Sequence, residues 1–132
     1  MYTAQRVLIG YGTVILLVGF VLGTILGMLR MKAPQIRSLA TAHVETLMQA
    51  ALFLGLAFAI GAVGFRSAAS TWGAWLLLAG SAMQAAGVTL NWITNTGDQF
   101  AERSPGMKVN SLSTFVIWPG AAIIAWGILT RL

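Results

Sequence analysis

Charged side chains divide the chain into long apolar runs. No charged residue lies between Arg6 and Arg30, between Arg66 and Asp98, or between Lys108 and Arg131, and between Arg37 and Arg66 the only ionisable residues are His43 and Glu45. A membrane-crossing helix needs about 20 mostly apolar residues. Each run is long enough, so the pattern predicts four helices, over 7–29, 39–64, 73–97 and 110–130. The segments between them are short. Met31 to Arg37 carries Pro34, Arg66 to Thr71 is a polar turn, and Glu102 to Lys108 carries Pro105 and Gly106; proline and glycine are residues that stop helices. None of these connections can hold a soluble domain. The expected architecture is all-α: an integral membrane four-helix transmembrane bundle forming a single transmembrane domain over 1–132. The first run is too long and apolar for a cleavable signal peptide, and no small-residue cleavage site ends it.

Composition strengthens this reading. Hydrophobic residues make up 58% of the chain and charged residues 8%, and the mean hydropathy is +0.82. A small soluble domain needs a polar shell, because much of its surface stays exposed, and this chain lacks the residues to build one. There is no cysteine, which excludes disulfides, iron–sulfur clusters and thiolate metal sites. The net charge of +5 comes from eight Lys and Arg spread around the apolar runs. They read as interfacial anchors and form no dense patch for nucleic acid. Arg30, Lys32, Arg37, Arg103 and Lys108 fall on one side and Arg6, Arg66 and Arg131 on the other. The positive-inside rule places the first group in the cytoplasm and both termini outside. The expected location is a bacterial inner membrane.

Gly19, Gly23 and Gly27 form a ladder of small residues on the first helix. Such ladders let helix backbones approach closely in lipid. The partner is either another helix of the same chain or a second copy, and four short-looped helices make a thin bundle that suits a homo-oligomer. In the fourth helix, Trp118-Pro119-Gly120 predicts a kink or a local opening.

Candidate chemistry lies in polar residues at membrane depth. The second helix carries His43, the only histidine, followed by Glu45 and Gln49. Glu45 and Gln49 are four apart and share a face, whereas His43 and Glu45 lie about 200° apart around the helix and look toward different neighbours. On the third helix Gln84, Asn91, Asn95 and Asp98 follow at spacings of seven, four and three, with Gly80 and Gly87 on the same side. A single buried amide is ordinary interhelical glue. A stripe of four opposite a helix with His, Glu and Gln predicts a polar cavity inside the bundle. His43 has two readings: a neighbour-binding group that sets helix register, or a metal ligand or acid–base group. No P-loop, dinucleotide fingerprint, HExxH motif or Ser-His-Asp order is present.

At these residues the chain resembles the small four-helix membrane isomerases, the hydroxylaminobenzene mutases and styrene oxide isomerases. The resemblance rests on the layout of four membrane helices, on Ala42-His43-Val44-Glu45 followed by Gln49, and on Asn91 and Asn95 before a short loop with proline. It implies an isomerase acting on a small aromatic substrate with haem b, ligated by His43 as the iron's metal ligand. Gln49 stands where the family places an Asn. A pocket Tyr of the styrene oxide isomerases is unmatched, since the only tyrosines are Tyr2 and Tyr11. That departure, with the short chain, favours hydroxylaminobenzene rearrangement to an aminophenol over epoxide-to-aldehyde rearrangement. The iron would act as a Lewis acid on the substrate oxygen. Gln49, Asn91 or Asn95 would orient substrate, Glu45 or Asp98 would move a proton or orient His43, and Arg37 would pair with a haem propionate. The resemblance also implies a homo-oligomer and points to a trimer. Two other classes compete. A small multidrug-type transporter would need an acidic residue on the first helix, which is absent. A structural subunit of a membrane complex would use His43 and the amides as glue.

Overall fold

A computed structural model describes residues 1–30, 37–96 and 102–132. It contains four helices: α1 (Thr3–Arg30), α2 (Arg37–Ala62), α3 (Ala68–Ile93) and α4 (Pro105–Leu129). All four are long and apolar enough to cross a membrane, and no strand occurs among the described residues. The protein is an integral membrane protein. Large apolar side chains such as Phe58, Trp72, Phe115 and Trp126 are exposed on the outside of the bundle, where lipid would cover them.

Capping chemistry sets the helix ends. The side chain of Ser67 accepts from the Ser70 amide at 3.2 Å, and Ser70 Oγ accepts from the Ser67 amide at 3.3 Å. This reciprocal capping box starts α3 at Ala68, ahead of the expected position. Ser104 accepts from the Met107 amide at 3.0 Å and Pro105 occupies the first turn, a position where the missing N–H costs nothing. The α4 helix therefore begins at Pro105 and runs through Lys108. The α2 helix closes on Gly64, whose φ is +67°. The Gly64 amide donates to Gly61 O and the Phe65 amide to Ile60 O, the paired bonds of a Schellman end. The α3 helix ends in the same way on Asn95, with φ 53°, as the Asn95 amide donates to Trp92 O and the Thr96 amide to Asn91 O.

The helices pack chiefly as two hairpins, α1 on α2 and α3 on α4, with α1 and α2 each touching α3 and α2 barely reaching α4. Glycine permits both close contacts. On α1, a Cβ at Gly19 would lie 2.7 Å from Leu47 Cδ2, and one at Gly23 would lie 2.6 Å from His43 Cε1. Two rungs of the ladder thus meet α2 of the same chain, while Gly27 has no atom within 4 Å of the space in front of it. On the other hairpin, Gly73, Gly80 and Gly87 of α3 abut α4, and Gly120 sits with its Cβ position 2.8 Å from the Leu77 amide nitrogen. The α4 helix continues unbroken through Pro119, held at that level by the backbone contact of Gly120 with α3. A core of Leu8, Phe53, Ile60, Phe65, Leu77 and Ile124 joins the hairpins. At the end holding both termini, Arg66 lies over the Tyr2 ring at 4.2 Å and Arg131 over the Phe65 ring at 4.3 Å, which anchors two cations at that membrane boundary.

Candidate functional site

The α2 helix spreads its polar side chains over different neighbours, as the helical angle requires. His43 turns toward α1, where its Nδ1 lies 2.8 Å from Gly19 O. A carbonyl only accepts, so Nδ1 carries the proton and donates it. The Nδ1 bond is the only hydrogen bond the ring makes among the described residues, which leaves Nε2 free. Gly23 leaves the room that the imidazole occupies. This is the arrangement that metal-bound histidines use, with one ring nitrogen held by a carbonyl and the other free to ligate. Among the described residues no group of three or more His, Asp or Glu could hold an ion between them. A single imidazole with a free nitrogen is the donor needed by a metal that brings its own remaining ligands, as a haem does, so His43 has the donor chemistry that such a group would use.

Gln49 points to the interior. It is buried, and its Oε1 accepts from Ser81 Oγ of α3 at 2.5 Å. From α1 the Tyr11 hydroxyl lies beside Ser81 but outside hydrogen-bonding geometry, and its ring packs on Phe53 with centroids 4.8 Å apart. Three helices thus place one polar group each at a buried node, where Gln49 Nε2 remains a donor without a partner. Neither Ser81 nor the inward setting of Tyr11 was visible from residue spacing. The apolar groove beside this node, about 440 Å³, runs between α1 and α3 past Tyr11, Ile15, Val18, Ala82, Ala85 and Ala86.

A second cavity of about 440 Å³ opens between α2, α3 and α4, lined by Glu45, Gln84, Met107, Asn110, Ser111, Ser113, Thr114, Ile117 and Trp118. Here Glu45 and Gln84 of the sequence-derived set come together, joined by Asn110, which the stripe on α3 gave no reason to single out. His43 lines neither cavity.

The other candidates lie elsewhere. The Asn91 side chain is buried in the α3–α4 contact, with Oδ1 accepting from Ser104 Oγ at 2.7 Å. Asn95 lies beyond the end of α3, exposed and in the left-handed conformation. The expected stripe therefore does not run down one helix face, because the Schellman turn swings the chain away between Asn91 and Asn95. Arg37 is exposed at the first residue of α2, about 9 Å along the axis from His43. Asp98 and Lys32 lie outside the described residues.

Residues 4–131 match the model of the styrene oxide isomerase family. The chain belongs to the styrene oxide isomerase family. Comparison with curated proteins and with solved structures gave no match. Family membership makes the protein a membrane-embedded isomerase of the styrene oxide type. The Ala42-His43-Val44-Glu45 segment lies within α2, with its histidine held by the backbone of α1.

Proposed function

We propose that the protein rearranges a small aryl epoxide to an aldehyde, with haem b carried on His43. The observation that carries the cofactor is the Nδ1–Gly19 O hydrogen bond, which leaves Nε2 as a bare lone pair. Arg37, six residues before His43 on α2, is the residue suited to a haem propionate. When bound, the haem iron supplies a Lewis acid for the substrate oxygen.

The chain's own residues do the rest. Gly19 O fixes the tautomer and plane of His43, and Gly23 keeps the space that the ring needs. The reaction is internally balanced: the benzylic C–O bond breaks, a hydride moves from the terminal carbon to the benzylic carbon, and the oxygen closes to a carbonyl. A cation at the benzylic carbon reacts with any water that reaches it. The largely apolar bundle supports this chemistry by keeping bulk water away.

Hydroxylaminobenzene rearrangement is the other reading that the resemblance allows. It gains weight from the unmatched tyrosine. Tyr11 lies inside the bundle but at the Gln49–Ser81 node, about 12 Å along α1 from Gly19, and does not supply that phenol beside His43; the match to the styrene oxide isomerase family favours the epoxide. The working unit is read as a homo-oligomer on the resemblance.

The test is the absorption spectrum of the purified protein, combined with turnover of styrene oxide and hydroxylaminobenzene side by side. The expected result is a Soret band, aldehyde from the epoxide, and loss of both in His43→Ala, since no second histidine can replace it. A colourless protein that takes up no haemin yet still isomerises the epoxide would sink the cofactor. Turnover of hydroxylaminobenzene alone would reverse the choice of substrate.

A further inference from the structure

The polar cavity between α2, α3 and α4 lies on the side of α2 away from the His43 ring, and the proposed reaction does not use it. Its hydrogen-bonding groups are unbalanced. The Glu45 carboxylate makes no hydrogen bond and no ion pair among the described residues, and its Oε2 is shielded from solvent. Ser113 Oγ and Thr114 Oγ1 both donate to Asn110 O, at 2.7 and 3.2 Å, so their hydroxyl protons are spent on the backbone of α4 and lone pairs remain. Asn110 Oδ1 is also buried without a partner, but it packs against Gly87 of α3 and not into the cavity. Gln84 and Asn110 bring amide N–H donors to the lining as well, but none of them bonds Glu45, so the cavity holds one uncompensated acidic group.

Acceptors left bare in a membrane are costly, and an unpaired carboxylate is the most costly of them. A ligand that offsets this must bring N–H donors and a positive charge. An epoxide brings only an acceptor oxygen and cannot pair with the Glu45 carboxylate. The volume, about 440 Å³, lies within the roughly 300–1,000 Å³ of small-molecule sites. Its other wall is apolar and aromatic, formed by Met107, Ile117 and Trp118. Trp118 is largely exposed at the outer surface, so the mouth faces lipid. Glu45 lies about 12 Å along the helix from Arg37, a depth that an amine attached to an apolar body reaches and a hydrated metal ion does not.

We infer that this cavity binds a small amphiphilic ammonium ion, with Glu45 as its anionic partner, Ser113 and Thr114 accepting its N–H groups, and Trp118 covering its apolar body. The site is separate from His43.

The experiment is calorimetric titration of the full chain in phosphatidylcholine nanodiscs with benzylammonium and, in parallel, with benzyl alcohol, each corrected against empty discs. The two probes share one apolar body and differ in charge and donor count. Wild type should prefer the ammonium by about tenfold or more, the scale of a charge-assisted hydrogen bond. Glu45→Gln should remove that preference, and His43→Ala should keep it. Binding no greater than to empty discs, equal affinity for the two probes, a preference that survives in Glu45→Gln, or one that vanishes in His43→Ala would each overturn the assignment. The probe comparison on wild type decides the matter even if Glu45→Gln fails to fold. Because His43→Ala abolishes the proposed isomerisation and is expected to leave ammonium binding intact, failure of one reading is distinguishable from failure of the other.

Discussion

Replacing Gly23 by alanine tests the contact between α1 and α2 with a single methyl group. The new Cβ would lie 2.6 Å from His43 Cε1, 3.0 Å from Nδ1 and 3.2 Å from Nε2. No side chain tolerates the first of these distances, so the imidazole must tilt away. Its 2.8 Å bond to Gly19 O is then stretched or lost. Overpacking of this kind costs about 1–3 kcal/mol, and the hydrogen bond contributes about 0.5–1.5 kcal/mol. Alanine returns roughly 0.5–1 kcal/mol through its better helix propensity. The expected net loss is about 0.5–4 kcal/mol. Gly27→Ala is the control. It lies on the same ladder with nothing within 4 Å, so it should be neutral or gain up to about 1 kcal/mol. Both variants are measured by reversible unfolding in mixed micelles. If Gly23→Ala proves as stable as Gly27→Ala, the ring does not rest on Gly23 and the placement of His43 is wrong. If Gly27→Ala is instead the damaging change and also lowers the oligomer size, the third rung carries a contact between copies.

Two further outcomes follow from the buried node and the end of α3. Ser81→Ala should cost about 1–3 kcal/mol by leaving Gln49 Oε1 buried without its donor, and Gln49→Leu in the same chain should recover most of that loss. A loss that the second change deepens would show that Gln49 has another partner. Asn95→Gly should leave unfolding stability unchanged or raised, because glycine accepts the φ of 53°, whereas Asn95→Val should cost about 1–2 kcal/mol. Equal stability of the two would refute the left-handed turn.

The four membrane helices were legible because charge is so sparse that its positions alone mark the crossings. Their ends were less so. Lys108 looks like a boundary by its charge, yet it is exposed in the first turn of α4, because Ser104 caps the helix ahead of it. Asn95 continues the spacing from Asn91 on paper, but spacing carries over only while the helix does, and an asparagine followed by Thr-Gly is also a good terminator. The helical angle correctly separated His43 from Glu45. It could not say which helix each would meet, since that depends on how four helices are rotated against one another. The Gly19 and Gly23 rungs were readable as a close contact, but not that an imidazole fills the second. Tyr11, Ser81 and Gln49 come from three different helices, so their meeting has no signature in any one of them.

The arrangement of the bundle as two hairpins bears on how the chain is made. As α1 and α2 leave the ribosome they can pair at once through Gly19 and Gly23, and His43 finds the carbonyl of Gly19 inside that first pair. Gln49 must wait for Ser81, and Glu45 for the walls that α3 and α4 provide. During synthesis the first hairpin therefore sits in the bilayer with one satisfied face and one unsatisfied face. Arrival of the second hairpin is drawn to the unsatisfied one, so the polar residues direct the order of assembly before they serve the finished protein.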